Sequence, residues 1–274
     1  MKKKYIVSVT LVLIQLFTFS AQAQTATKKK PRTKEFYFSW GYNTEYYTHS
    51  IIHVNQPSLG NNYSFVDIKG HDHEGWNEGL FHLALSIPQY NYRFGLILNK
   101  EKDFGVEINF DHTKFIFADQ GAHIIGTLHG RAVDSIVQFN QANGFYYYLN
   151  NGANFLLFNL VKRWHWYAAK NQNLKVDFLG KAGIGPVIPH VQNEFFDSAN
   201  NPHFQLGGWN VGVEGAIRAT FFKYVYLEYC NKIDYARYSN LKIDKADGTA
   251  SQAFGTYEFI LNLGITFPVG KREQ

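Results

Sequence analysis

Apolar and polar residues alternate with a period of two in many segments of this chain, most regularly near its C-terminus. There Tyr257, Phe259, Leu261, Leu263, Ile265 and Phe267 are apolar, and Glu258, Ile260, Asn262, Gly264 and Thr266 stand between them. A period of two sends successive side chains to opposite faces of a sheet, so each such segment predicts a two-faced strand. Phe36, Phe38, Trp40 and Tyr42 alternate with Tyr37, Ser39, Gly41 and Asn43. Tyr90, Tyr92, Phe94, Leu96 and Leu98 alternate with Asn91, Arg93, Gly95 and Ile97. Val106, Ile108 and Phe110 oppose Glu107, Asn109 and Asp111, and Val176, Phe178, Gly180, Ala182 and Ile184 oppose Lys175, Asp177 and Lys181. Val211, Val213, Ile217 and Phe221 oppose Asn210, Glu214, Arg218 and Thr220. Val225, Leu227, Tyr229, Ile233 and Tyr235 oppose Tyr226, Glu228, Cys230, Lys232 and Asp234. An eighth strand, near Asn154 to Trp166, is apolar on both faces and follows from its place in the series.

The joints between these strands are unequal. Asn99 to Asp103, Ala168 to Asn173 and the stretch around Lys223 are short and polar, whereas roughly 48–88, 118–152, 188–206 and 239–253 are long. Short joints alternating with long ones is the asymmetry of an up-and-down antiparallel transmembrane β-barrel, with short periplasmic turns, long external loops and periplasmic termini. The expectation is an all-β fold with eight strands. Segments Tyr63–His71 and Ala122–Gly130 then become extensions or hairpins within the first two external loops, and a ten-strand barrel is the alternative if they cross the membrane.

Two polarities remain open for such a barrel. A soluble lipocalin-like carrier has an apolar interior, which would put the charged face in water. A membrane barrel puts those charges in its lumen, where they must pair. A turn centred on Lys223 sets Arg218 opposite Glu228 and Glu214 opposite Lys232, two opposite-charge pairs from one register. Trp164, Trp166 and Tyr167 beside one short turn, and Phe221, Phe222 and Tyr224 beside another, fit an interfacial aromatic girdle.

Composition adds three points. Aromatics make up 17% of the chain, which favours strands. The single cysteine, Cys230, excludes an intrachain disulfide framework. The formal charge of +5 sits at one end: without Lys2–Lys4, Lys28–Lys30, Arg32 and Lys34, residues 35–274 hold 19 basic and 22 acidic residues, a net −3. The folded part therefore lacks a basic nucleic-acid footprint. Lys2, Lys3 and Lys4, the apolar run Tyr5–Phe19 and the small-x-small Ala21-Gln22-Ala23 form a signal-peptide pattern. The expected organisation is a cleaved signal at 1–23, a basic leader at 24–34, an outer-membrane barrel at 35–268 and a periplasmic tail at 269–274.

With the export pattern and the aromatic-rich two-faced strands, the ending Tyr257-x-Phe-x-Leu-x-Leu-x-Ile-x-Phe267 resembles small bacterial outer-membrane β-barrel proteins. The resemblance is one of pattern and covers residues 35–268. It implies a place in the bacterial outer membrane, with lipid as the surrounding partner. Members of that group commonly end on an aromatic residue, whereas here Pro268 and six further residues follow Phe267.

Candidate chemistry is sparse. His71-Asp72-His73-Glu74 would put two imidazoles on one face of a strand, a start for a borderline cation, although the spacing matches no closed zinc pattern. His112, preceded by Asp111, together with Asp134-Ser135, offers the residue types of a lipid A acyl hydrolase or acyltransferase, which some outer-membrane barrels are. A nucleophile needs a base within hydrogen-bond reach and a third group orienting that base. The Tyr- and Asn-rich stretch Asn143–Asn154 offers a surface for a protein or glycan. No cofactor is implied. An eight-stranded lumen is just wide enough to be filled by side chains. The leading expectation is thus a structural or interaction barrel acting through its external loops, with the lipid-modifying enzyme second and the soluble carrier third.

Overall fold

The computed structural model describes residues 34–72, 89–99, 102–117, 120–140, 142, 145–149, 152–196 and 198–269. Eight strands form its main circuit: β1 (Lys34–Tyr47), β4 (Asn91–Asn99), β5 (Phe104–Asp111), β10 (Phe155–Ala168), β11 (Leu174–Pro186), β15 (Gly208–Phe221), β16 (Val225–Lys242) and β17 (Thr249–Val269). Between them in sequence lie β2 (Ser50–Gln56), β3 (Asn61–Ile68), β6 (Phe115–Phe117), β7 (Gln120–Leu128), β8 (Arg131–Phe139), β9 (Tyr146–Leu149), β12 (His190–Phe195), β13 (Ser198–Ala199) and β14 (His203–Phe204). The eight pair antiparallel in the order β1-β4-β5-β10-β11-β15-β16-β17, and β17 pairs back with β1 from Lys34↔Val269 to Tyr47↔Thr256. A sheet whose last strand pairs with its first is a closed barrel. The strands alternate in direction, with β4–β5, β10–β11 and β15–β16 joined by short turns at one end.

Burial follows the period of two with the polarity of a membrane barrel. On β17, Tyr257, Leu261, Leu263, Ile265 and Phe267 are exposed, while Glu258, Ile260 and Asn262 are buried. On β15, Val211, Val213 and Ile217 point outward, and Asn210, Glu214 and Arg218 point inward. Apolar outside and charged inside is the reverse of a soluble carrier barrel. Tyr257 to Phe267 spans ten residue steps on β17. At about 3.3 Å per residue and a tilt of about 40°, that covers roughly 25 Å along the barrel axis, the height of an outward apolar band. Exposed aromatics border the band: Trp166, Tyr167, Phe222 and Tyr224 at the turn end, and Tyr92, Trp209 and Tyr235 toward the other.

The ambiguous strand β10 resolves by what its neighbours need. Leu157, Asn159, Val161 and Arg163 face the lumen, and Phe158 and Leu160 face outward. Val161 and Leu179 join Tyr37, Ile97, Tyr226 and Ile260 in a small apolar cluster inside the barrel. That explains an inward face too apolar to announce itself.

The described residues of the segments expected as long loops are largely in strands. At the end opposite the short turns, β2 replaces β1 as the neighbour of β17 through Thr249↔Asn55 to Gln252↔Ile52. The sheet then continues through β3, β7 and β8. A second sheet, β13-β12-β9-β6, faces it, with β14 on β12. Between them Phe65 of β3 meets Phe117, Phe139, Phe145 and Phe195 at centroid distances of 6.0, 5.3, 5.6 and 5.6 Å. Phe117 and Phe139 stack at 3.7 Å. Phe254 of β17, stacked on Phe115 at 4.8 Å, ties this aromatic core to the barrel wall. Tyr63–Ile68 and Ala122–Leu128 are thus parts of β3 and β7, on a tier above the apolar band.

Candidate functional site

The lumen is the most densely organised polar region among the described residues. Four cations, Arg93, Lys181, Arg218 and Lys232, meet six carboxylates, Glu107, Asp111, Glu214, Glu228, Asp234 and Glu258, all buried. Lys181 lies 3.0, 2.8 and 2.9 Å from Glu107, Glu214 and Glu228. Arg93 reaches Asp111 at 2.5 Å and, across the lumen, Glu214 at 3.2 Å. Lys232 reaches Asp111 at 2.7 Å and Asp234 and Glu258 at 3.0 Å each. Buried charges persist only when paired, and each of these ten groups lies within 4.0 Å of an opposite charge. Arg218 Nη1 and Nη2, both oxygens of Asp234 and Glu258 Oε2 have no hydrogen-bond partner among the described residues.

Arg218 donates to Glu228 at 2.5 Å, and its guanidinium lies 4.3 and 4.1 Å from the rings of Tyr37 and Tyr226. Both rings lie over glycines of the neighbouring strand. A Cβ at Gly95 would stand 1.9 Å from Tyr37, and one at Gly264 would stand 2.2 Å from Tyr226. Each aromatic fills the space its glycine partner leaves, a pairing that pins register.

Near the turn end lies a second charged cluster. Arg163 donates to Glu35 at 2.6 Å and to Asp103 at 2.9 Å, and His165 contacts Asp103 at 3.0 Å and Asp177 at 2.6 Å. Partial burial alone would raise the Asp103 carboxyl, but hydrogen bonds from His165 and Arg163 and their charges hold it below its ordinary value.

The register places Arg218 opposite Glu228 and Glu214 opposite Lys232. The first two are in direct contact. The second two turn to other partners: Glu214 to Lys181 in the ladder on its other side and to Arg93 across the lumen, and Lys232 to Glu258 in its other ladder, to Asp234 on its own strand and to Asp111 across the lumen. Arg93, Lys181 and Glu107 complete the lattice. The register of the β15–β16 hairpin could not assign their partners: Lys181 faces Glu214 in the separate β11–β15 ladder, and Arg93 meets Glu214 across the interior.

The four enzyme candidates do not converge. Asp111 points into the lumen between Arg93 and Lys232. His112, beyond the end of β5, stacks on Tyr90 at 4.6 Å, and its Nδ1 lies 2.8 Å from Asn154 Oδ1. Burial pushes this imidazole below its ordinary value, partly countered by the Asn154 hydrogen bond. Asp134 and Ser135 lie on β8, where Asp134 contacts His123 at 2.7 Å. The ring of His112 therefore pairs with an amide rather than with a carboxylate or a serine. Of the metal candidates, His71 bridges Ile116 through its backbone, and Asp72 accepts from the hydroxyl of Thr44 at 2.8 Å. His73 and Glu74 lie outside the described residues, as do Asn143, Gly144, Asn150 and Asn151 of the tyrosine-rich stretch. Within that stretch Tyr147 and Leu149 are buried in the aromatic core, and Tyr146 and Tyr148 are half-buried.

No family model matches the sequence, and no curated protein matches it. Among solved structures, the attachment invasion locus protein Ail of Yersinia pestis, in complex with the heparin analogue sucrose octasulfate, is 13% identical. That match covers 85% of this chain and 99% of Ail at a TM-score of 0.32. The outer membrane protease OmpT from Escherichia coli is 11% identical over 91% of this chain and 100% of its own, with a TM-score of 0.35. The outer membrane protein OprG from Pseudomonas aeruginosa is 9% identical over 87% and 97%, with a TM-score of 0.30. The assignment of a membrane barrel rests on this chain's own pairing circuit and outward apolar band.

Proposed function

We propose that this protein is a non-conducting barrel of the bacterial outer membrane that anchors and displays a folded β-tier on the outer side for contacts beyond the cell. In this reading residues 1–23 are a cleaved export signal, 24–34 a leader, and the short turns face the periplasm. The observation that carries it is the aromatic core around Phe65: the loop-end segments pack into a defined structure joined to the wall through β17 and β2. A lumen occupied by paired charges supports an anchor over a pore, as an eight-stranded interior is just wide enough to be filled. His112 pairs with Asn154, and Asp134 with His123, so among the described residues no hydrogen bond joins His112 to Ser135 or Asp134 as the lipid-modifying alternative would need.

The test is topological. Leu206, 78% exposed at the loop end, and Phe222, 70% exposed at the turn end, are each replaced by cysteine; the native Cys230 is buried. On intact cells a membrane-impermeant maleimide is expected to label Leu206→Cys, and Phe222→Cys only after lysis, with both proteins in the outer-membrane fraction. Labelling of Phe222→Cys on intact cells, or recovery without detergent in a soluble fraction, would contradict the reading.

A further inference from the structure

The twelve-stranded sheet ends at β8, whose outer edge has no partner strand among the described residues and whose Ala132, Asp134, Ser135, Ile136 and Gln138 are exposed. β8 pairs only with β7, and among the described residues no other backbone hydrogen bond reaches it. Exposed edge strands are templates for pairing, so proteins usually blunt them with lysine, proline or a bulge. The sequence of β8, RAVDSIVQF, contains neither lysine nor proline, and its ladder with β7 runs from Gln120↔Phe139 to Leu128↔Arg131 without a register shift. Ile136, 72% exposed, lies on this edge.

Turn geometry tells which backbone groups face outward. His129 and Gly130 both have positive φ, 49° and 74°, as a two-residue hairpin turn of the I′ type requires. Such a turn makes the flanking pair, Leu128 and Arg131, a hydrogen-bonded one. By alternation, the N–H and C=O groups of Ala132, Asp134, Ile136 and Gln138 point away from β7.

Those four residues set what can dock. An antiparallel copy of β8 must bring outward groups against outward groups, so the axis falls on Asp134, Ser135 or Ile136. On Asp134, two carboxylates would lie directly opposite each other, which is unfavourable. On Ile136, the first two residues of the strand lose their partners. On Ser135, every residue from Arg131 to Phe139 finds one: Ala132 faces Gln138, Val133 faces Val137, Asp134 faces Ile136, and Ser135 faces itself. The two Ile136 side chains then meet diagonally on one face, and the valine pairs extend the edge of the aromatic core on the other.

We propose that β8 pairs with β8 of a second copy of this chain, antiparallel about a two-fold axis through Ser135, joining two outer tiers into one continuous sheet. The proposal rests on the tier being an interaction surface and names the partner as the protein itself.

Ser135 at the axis gives a direct test on the full-length protein in detergent micelles. Directly opposite residues of a non-hydrogen-bonded pair stand about 4.5 Å apart at Cα, within reach of a disulfide. Oxidation of Ser135→Cys is expected to yield a covalent dimer on a non-reducing gel. Gln138→Cys, which faces Ala132, is expected to stay monomeric. Adding Ile136→Pro to Ser135→Cys removes an outward N–H that β7 does not use, and is expected to abolish the dimer while heat-modifiable migration of the barrel is retained. No dimer from Ser135→Cys, or equal dimer from both cysteine variants, would overturn the self-pairing. The maleimide result above is independent of that outcome, so the two failures are distinguishable.

Discussion

The guanidinium of Arg218 lies 4.1 Å from the ring of Tyr226, and that ring lies over the bare backbone of Gly264 on the next strand. Three adjacent strands of the barrel thereby lock a charge inside the membrane span. Tyr37 lies against the same guanidinium at 4.3 Å, its ring at 76° to that of Tyr226 and 6.5 Å from it. The cation contacts two aromatic rings, set edge-on to each other, and one carboxylate, an arrangement suited to arginine's planar, weakly hydrated group and not to lysine's ammonium.

Arg218→Ala should therefore destabilise the barrel by about 3–5 kcal/mol, since it leaves buried Glu228 with Lys181 alone and empties the space beside two rings. Arg218→Met combined with Glu228→Gln should cost less than the single change, because no unpaired charge is left. Urea unfolding in detergent micelles, followed by tryptophan fluorescence, measures both. Equal stability of Arg218→Ala and wild type would show that the pair does not support the fold.

Phe65→Ala removes the centre of the outer aromatic core, with an expected loss of about 3–5 kcal/mol from that tier. The barrel keeps its own wall pairing and lumen lattice, so the loss should be local. Limited proteolysis should cut the variant within the tier while the barrel still shows heat-modifiable migration. Simultaneous loss of both would show that the tier and the barrel fold as a single unit.

His112 supplies a pH dependence. Burial lowers its folded value below the unfolded one, so the unfolded chain binds the extra proton more readily. Its contribution to stability is present above about pH 6.5 and is lost as pH falls through the depressed folded value. Titration of the ring by NMR should give a midpoint below that of a free histidine. In His112→Gln the part of the acid destabilisation that falls in this window should disappear. A midpoint above the free value would contradict the buried, amide-bonded geometry.

Much of the barrel was legible because lipid and lumen impose opposite demands on alternate residues. Val213 and Glu214, or Leu227 and Glu228, declare their faces at once. β10 did not, since Val161 joins an apolar cluster inside the barrel while Leu160 faces outward. The outer tier was legible only in part. Its strands are short, and pairs such as Ile52 and Val54, Phe115 and Phe117, or Tyr147 and Leu149 give too few repeats to distinguish a strand from a loop. Their packing partners also lie far apart in sequence: Phe65 contacts Phe139 and Phe195. The lumen lattice was legible where a tight turn fixed the register, as for Arg218 and Glu228. It was hidden where ions meet across the interior, as for Arg93 with Glu214 and Lys232 with Asp111.

The central claim is that charged side chains fill the barrel and make it an anchor. Current across a planar lipid bilayer containing the purified protein measures this most directly. The account predicts a baseline free of discrete openings in 1 M KCl, with insertion confirmed by heat-modifiable migration of protein recovered from the membrane. Stepwise, sustained conductance from the wild-type chain would contradict it.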